Sequence, residues 1–248
     1  MHIPRLYPIL DASCFADAEA IFTAADELAT ASVTLLQYRN KSGNAREMLD
    51  HARELKGRVG DRVTLIMNDR ADLCLAADFD GLHVGQDDLS PEAARHIIGP
   101  AESMSSRDRE KTPVLAGVAL QRCDKSNIHN AALAAEVNSC SERKTPRLLG
   151  VSTHNPEQLA EADKTTADYL AIGPVFATSS KANPDPVVGL EGVRRARELT
   201  SKPIVAIGGI TRANARSVID AGADAVAVIS DLIRHPRKSA EEFLAILR

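Results

Sequence analysis

The chain has 248 residues, 44% of them hydrophobic and 26% charged, which is the balance of a globular protein. That length suits one or two ordinary domains, or a single (β/α)8 barrel. A net charge of −4, no Trp, three Tyr and five Phe argue against a nucleic-acid surface built on bulk charge or on aromatic stacking. No apolar run approaches the ~20 residues of a bilayer span. Residues 1–10 lack the apolar stretch and cleavage site of a secretory signal. The four cysteines, Cys14, Cys74, Cys123 and Cys140, show no CxxC spacing and read as reduced thiols. A cytoplasmic protein with no nucleic-acid or membrane partner is expected, and no residue pattern specifies a protein partner.

Short β-branched apolar runs alternate with amphipathic stretches along the chain. The runs are Leu6–Leu10, Val33–Gln37, Val63–Asn68, Gly81–Val84, Leu148–Ser152, Tyr169–Gly173, Ile204–Ile207 and Ala225–Ile229. Helical spacing falls between them, at Ala16–Ala31, Ala45–Val59, Pro91–Ile98, Pro156–Asp163, Leu190–Leu199 and Arg212–Ala221. Continuous apolar strands separated by helices predict a parallel sheet covered on both faces. Eight such units in about 250 residues predict an α/β fold closed as a single TIM barrel. One interval breaks the rhythm, because the fourth and fifth runs start at 81 and 148. Residues from about 100 to 147 are therefore expected to be an insertion between strands four and five. Val114–Leu120, inside that stretch, competes with Leu148–Ser152 for the fifth strand.

In such barrels the chemistry sits on the loops after the C-terminal strand ends. The second run leads into Gln37-Tyr38-Arg39-Asn40-Lys41, the third into Asn68-Asp69, and the fourth into Gly85-Gln86-Asp87-Asp88. The fifth delivers Ser152 and His154, and the sixth leads to Thr178-Ser179-Ser180-Lys181. Gly208-Gly209 and Ile229-Ser230 close the seventh and eighth, where these barrels commonly build a phosphate site. Glycines there let backbone N–H groups approach phosphate oxygens, and Ser230–Ile233 suits a short helix.

Asp69 and Asp88 end adjacent strands, so their carboxylates can share one hard cation such as Mg2+ with water and phosphate oxygens. Ser90 is the better cap for the helix after Asp88, but Asp87 competes with Asp88 and spacing does not separate the two. Arg39, Lys41 and Lys181 bring cations to the same rim, which suits a diphosphate. Gln37 and Asn68 offer amide hydrogen bonds to a heterocycle. His83, beside a buried run, is expected to pack. His154 stands near the site, without a second histidine or cysteine at the spacing of a transition-metal centre.

Together these segments resemble thiamine-phosphate synthases. The resemblance is carried by QYRNK at 37–41, ND at 68–69, GLHVGQDD at 81–88 and GVSTHN at 150–155. GPVFATSSK at 173–181, GLEG at 189–192, VAIGGI at 205–210 and AGADAVAVIS at 221–230 complete it. It covers nearly all of the chain outside 100–147. The resemblance implies a (β/α)8 enzyme that joins an aminopyrimidine-methyl diphosphate to a thiazole phosphate, with Mg2+, giving thiamine phosphate and pyrophosphate. Carried over by motif, Gln37, Tyr38, Arg39, Asn40, Lys41, Asn68, Ser152 and Lys181 would hold the pyrimidine diphosphate. Asp69 and Asp88 would bind Mg2+. Thr178, Ser179 and Ser180 would line the thiazole phosphate pocket, helped by Gly209, Ile229 and Ser230. Arg39, Lys41 and Lys181 would stabilise the leaving pyrophosphate. Ser180 stands where the family usually shows threonine, and the 100–147 segment replaces a short connection. The alternatives are a thiazole tautomerase-like isomerase, which would not need the acidic pair or the 37–41 cluster, and a non-catalytic barrel that binds a phosphate ligand.

Overall fold

Eight parallel strands close on themselves in chain order, each hydrogen-bonded to the next and the last to the first. The structure is a computed structural model and describes residues 3–100, 146–178 and 185–248. The strands are β1 (Leu6–Asp11), β2 (Leu35–Arg39), β3 (Thr64–Asn68), β4 (Gly81–Val84), β5 (Leu148–Thr153), β6 (Tyr169–Ile172), β7 (Ile204–Ile207) and β8 (Ala225–Val228). All eight predicted runs are therefore strands, and the TIM-barrel expectation holds. β4 pairs directly with β5, Gly81 opposite Leu148 and Val84 opposite Val151, so the ring closes through Leu148–Thr153. Val114–Leu120 lies outside the described residues.

Helices cover the ring. They are α1 (Ala18–Thr30), α2 (Ala45–Val59), α3 (Ala71–Ala76), α4 (Pro91–Ile98), α5 (Pro156–Asp163), α6 (Gly189–Leu199), α7 (Ala215–Asp220), α8 (Ser230–Ile233) and α9 (Pro236–Ile246). Their starts are legible in the residues that cap them. Asp17, Asn44, Ser90 and Asn155 each accept a backbone N–H three residues on, and Pro91 and Pro156 open first turns where no donor is needed. Among the described residues no helix is long and apolar enough to cross a membrane.

Strand alternation divides the apolar residues into two layers. An inner cluster fills the barrel with Tyr7, Ile9, Leu35, Ile66, Tyr169, Ala171, Val205, Ala225 and Ala227. A larger outer cluster, including Leu36, Tyr38, Leu65, Met67, Leu82 and Val226, packs the strands against the helices. Gly150 makes room for the largest inner side chain. A Cβ there would stand 2.1 Å from the Tyr169 ring, so the aromatic fits only because its β5 neighbour has no side chain.

The N-terminal face of the barrel is clasped by three aspartates. Asp80 accepts the Leu65 N–H at 2.9 Å and pairs with Lys56. Asp168 accepts the Leu149 N–H at 2.8 Å and pairs with Arg95, and Asp224 accepts the Ile204 N–H at 2.8 Å and pairs with Arg197. Each carboxylate precedes an even-numbered strand and ties down the strand before it. All three lie on the face that serves stability in this fold.

Candidate active site

The C-terminal strand ends surround a cavity of about 500 Å³. Its walls bring together Gln37, Arg39, Lys41, Asn68, Asp69, Asp88, Ser152, Thr178, Gly209, Ile229 and Ser230. Ser179, Ser180 and Lys181 lie outside the described residues.

Two residues of the 37–41 cluster do not reach the cavity. Tyr38 and Asn40 were expected to hold the substrate. In β2, however, Gln37 and Arg39 point inward, and the two-residue period turns Tyr38 outward into the helical layer, where it is buried. Its hydroxyl meets His51 Nδ1 on α2 at 2.9 Å and accepts from Asn40 Nδ2 at 3.3 Å. Asn40 is also buried, and its Oδ1 accepts the N–H groups of Ser42 and Gly43 at 3.0 and 2.7 Å. His51, Tyr38 and Asn40 thus fix the turn that carries Lys41. These two residues position the wall and do not line it.

Arg39 does line the cavity, and its guanidinium is bound to the buried carboxylate of Asp11 at the end of β1. Asp11 is held in turn by the Ser13 N–H and hydroxyl. Arg39 therefore clamps β1 to β2 at the mouth as well as offering charge to it.

Asp69 stands in the left-handed backbone region with φ of 62°, which an Asp tolerates better than most residues. Its carboxylate is bound by Lys41, whose side chain is half exposed, and lies within hydrogen-bonding reach of Asp88. Burial pushes its carboxyl above the usual range; Lys41 opposes that rise and Asp88 adds to it. Asp88 also accepts the Gly85 N–H at 2.8 Å. Asp87 lines the cavity as well, but the interaction with Asp69 is made by Asp88. Beside the pair, the buried Asn68 Nδ2 has no hydrogen-bond partner among the described residues. An orphaned amide N–H costs on the order of 1–3 kcal/mol unless a ligand accepts it.

The opposite wall is the Gly208-Gly209 turn, with φ of 100° and 63°. A Cβ on Gly209 would stand 2.5 Å from the Ala177 carbonyl oxygen, so both conformation and space demand glycine. Asn214 holds the turn, donating to Gly209 O at 3.1 Å and accepting the Thr211 N–H at 2.8 Å. α8 begins at Ser230, as the sequence predicts.

The floor carries a group that the residue types did not single out. Tyr7 and His83 line it, with Tyr169 packed beneath. His83 is buried as expected, but it is bonded to Ser152 Oγ at 2.8 Å as well as to Tyr169. Burial pushes its imidazole down to about 4 against a weaker pull from Asp88, so it is neutral at pH 7. The available signal was the strand period, which puts Tyr7, His83 and Tyr169 on inward positions of otherwise apolar strands.

Comparison with known proteins agrees with the motifs. The profile of a family described as thiamine monophosphate synthase matches residues 6–105 and 119–232. A thiamine-phosphate synthase from Koribacter versatilis is 53% identical over 250 residues, covering 100% of this chain and 97% of its own. A thiamine-phosphate synthase from Chloroflexus aurantiacus is 37% identical over 234 residues, covering 92% and 85%. Among solved structures, thiamine phosphate pyrophosphorylase from Pyrococcus furiosus superposes with a TM-score of 0.70 at 28% identity, covering 98% of this chain and 95% of its own.

Proposed function

The chain belongs to the thiamine monophosphate synthase family, and from that premise we propose that it couples 4-amino-2-methyl-5-(diphosphooxymethyl)pyrimidine to a thiazole phosphate. The products are thiamine phosphate and pyrophosphate. The methylene C–O bond breaks with its electron pair going to the pyrophosphate oxygen, and the thiazole nitrogen lone pair forms the new C–N bond. The ring amino group donates electrons to the methylene as the bond ionises, so no protein nucleophile is required.

The observation that carries this reading is the Asn68 Nδ2 amide, without a partner among the described residues, beside the crowded Asp69–Asp88 pair. An uncompensated donor next to two carboxylates suits a bound polyphosphate with its cation. The residues fit Mg2+, which is usually held by one or two carboxylates, the rest of its shell being water and phosphate oxygens. Among the described residues no cluster of three or more His, Cys, Asp or Glu offers a fuller protein cage. Asp69 and Asp88 would hold the ion, which when bound neutralises charge on the diphosphate. Lys41, half exposed, can turn from Asp69 to a phosphate oxygen and stabilise charge on the leaving group, with Arg39 beside it and Lys181 assigned the same role by motif. Gly209, Ile229 and Ser230 offer backbone N–H groups and a hydroxyl to the thiazole phosphate, with Thr178, Ser179 and Ser180 completing that pocket by motif. The direct pairing of β4 with β5 supports reading the 100–147 segment as an insertion on one barrel domain.

The test is pyrophosphate release from purified protein given both substrates and Mg2+, with each omitted in turn. Release that needs all three, with thiamine phosphate appearing in step, is expected. Release without coupled product, or none at all, would overturn the reading.

A further inference from the structure

A single file of hydrogen bonds crosses the floor of the barrel. Gln37 Nε2 donates to the Tyr7 hydroxyl at 3.0 Å, and Tyr7 Oη lies 2.9 Å from Tyr169 Oη. Tyr169 Oη lies 3.1 Å from His83 Nδ1, and His83 Nε2 lies 2.8 Å from Ser152 Oγ. Gln37, Tyr7, Tyr169 and His83 are all more than nine-tenths buried, so water does not scramble the pattern. Both ends, Gln37 and Ser152, line the cavity, whereas Tyr169 does not.

Proton counting gives the file a direction. Each hydroxyl has one proton. With Gln37 donating to Tyr7, the order that leaves no hydroxyl proton inside the file without an acceptor sends the Tyr7 proton to Tyr169. The Tyr169 proton then goes to His83 Nδ1. A neutral imidazole accepting at Nδ1 carries its own proton on Nε2, and that proton goes to Ser152 Oγ. The Ser152 proton is left for the cavity, as is the Gln37 carbonyl oxygen at the other end.

We propose that Tyr7, Tyr169 and His83 form a directional relay that sets Gln37 as an acceptor and Ser152 as a donor toward the bound heterocycle. This rests on the pyrimidine reading above. An aminopyrimidine matches that polarity, since its amino group donates and its ring nitrogens accept. A pyrimidine with an oxo group in place of the amino group sets lone pairs against Gln37 Oε1, and a site built around such a bond rejects the mismatched analogue strongly. Tyr169 is thus a positioning residue that acts on specificity without touching the ligand. Gly150 belongs to the same device, because its missing side chain is what admits the Tyr169 ring.

The first test needs no variant and no ligand. Nitrogen-15 NMR of the ligand-free protein at pH 7 should find His83 protonated on Nε2 alone. Protonation on Nδ1 would mean the file runs the other way and would overturn the proposal. The second test measures binding of the aminopyrimidine-methyl monophosphate and of its 4-oxo counterpart, which carry poor leaving groups. The wild type should prefer the amino compound by about 100-fold. Tyr169→Phe removes one hydroxyl from the middle of the file and should cut that preference by about tenfold, with the KM for the thiazole phosphate unchanged. An unchanged preference, or equal weakening of both ligands, would make Tyr169 merely structural and overturn the relay. Nε2 protonation with no binding of either pyrimidine would instead sink the substrate reading and support the direction of the file.

Discussion

The two ends of this barrel use the same residue types for opposite purposes. At the N-terminal face Asp80, Asp168 and Asp224 each have a cationic partner and a backbone N–H from the neighbouring strand. At the mouth, Asp69 is set against Asp88 with its carboxyl held above the usual range, and Asn68 Nδ2 has no partner among the described residues. At the first face every one of the three carboxylates is satisfied by the chain itself, although Arg95 Nε is buried without a partner among the described residues. The other is left incomplete in the way that a charged ligand would complete, the division expected if the first face serves stability and the second the proposed chemistry.

The sharpest way to break that contrast is Asp69→Asn. Asparagine accepts the left-handed backbone at this position and relieves the carboxylate crowding. Coupling activity should fall at least ~100-fold, the scale of losing one electrostatic catalytic group, while the thermal midpoint stays level or rises. A lower midpoint would show the pair to be structural.

Asp80→Ala should do the reverse. It strips the Leu65 N–H of its acceptor and Lys56 of its partner, at a cost of about 2 kcal/mol. The melting temperature should fall by roughly 4–8 °C with turnover within about a factor of two. Turnover lost in proportion to stability would blur the division between the faces.

A comparable effect is read through pH. His83 titrates near 4 when folded and near 6.5 when unfolded, because burial disfavours its charged form. Between those values the unfolded chain binds more protons, so this residue's stabilisation is present above about pH 6.5 and is lost as pH falls toward 4. The loss amounts to about 3 kcal/mol. The stability difference between wild type and His83→Gln, followed by denaturant melts across that window, should shrink as the solution is acidified. A constant difference would place the neutral imidazole elsewhere.

The smallest effect is expected at Tyr38→Phe. Losing its hydroxyl frees Asn40 and the Lys41 turn from α2, and should cost about 1 kcal/mol of stability with a several-fold rise in the KM for the diphosphate. Loss of binding altogether would restore Tyr38 to the cavity wall.

Much of the barrel was legible because its evidence is local. The eight apolar runs mark the strands, and Ser90 before Pro91 marks a helix start. α3 and α9 escaped the pattern, the first because six residues show hardly more than one turn of period. The acidic pair and the glycine turn were legible because strand ends predict the active face. Side-chain direction was harder to read. Taking 37–41 as one block ignored the pleat, which alone assigns Gln37 and Arg39 to the cavity and Tyr38 to the helices. The floor relay was hidden for a different reason. Tyr7 and Tyr169 are 162 residues apart, and only ring closure brings their hydroxyls together.

The Tyr169 ring seated over Gly150 also settles how traffic must run. With Tyr7, Tyr169 and His83 filling the floor, a molecule cannot pass through the barrel and must come and go by the mouth. Whatever rests deepest arrives before its neighbour and leaves after it. Two ligands stacked in such a well would therefore bind and leave in an order set by the shape of the container.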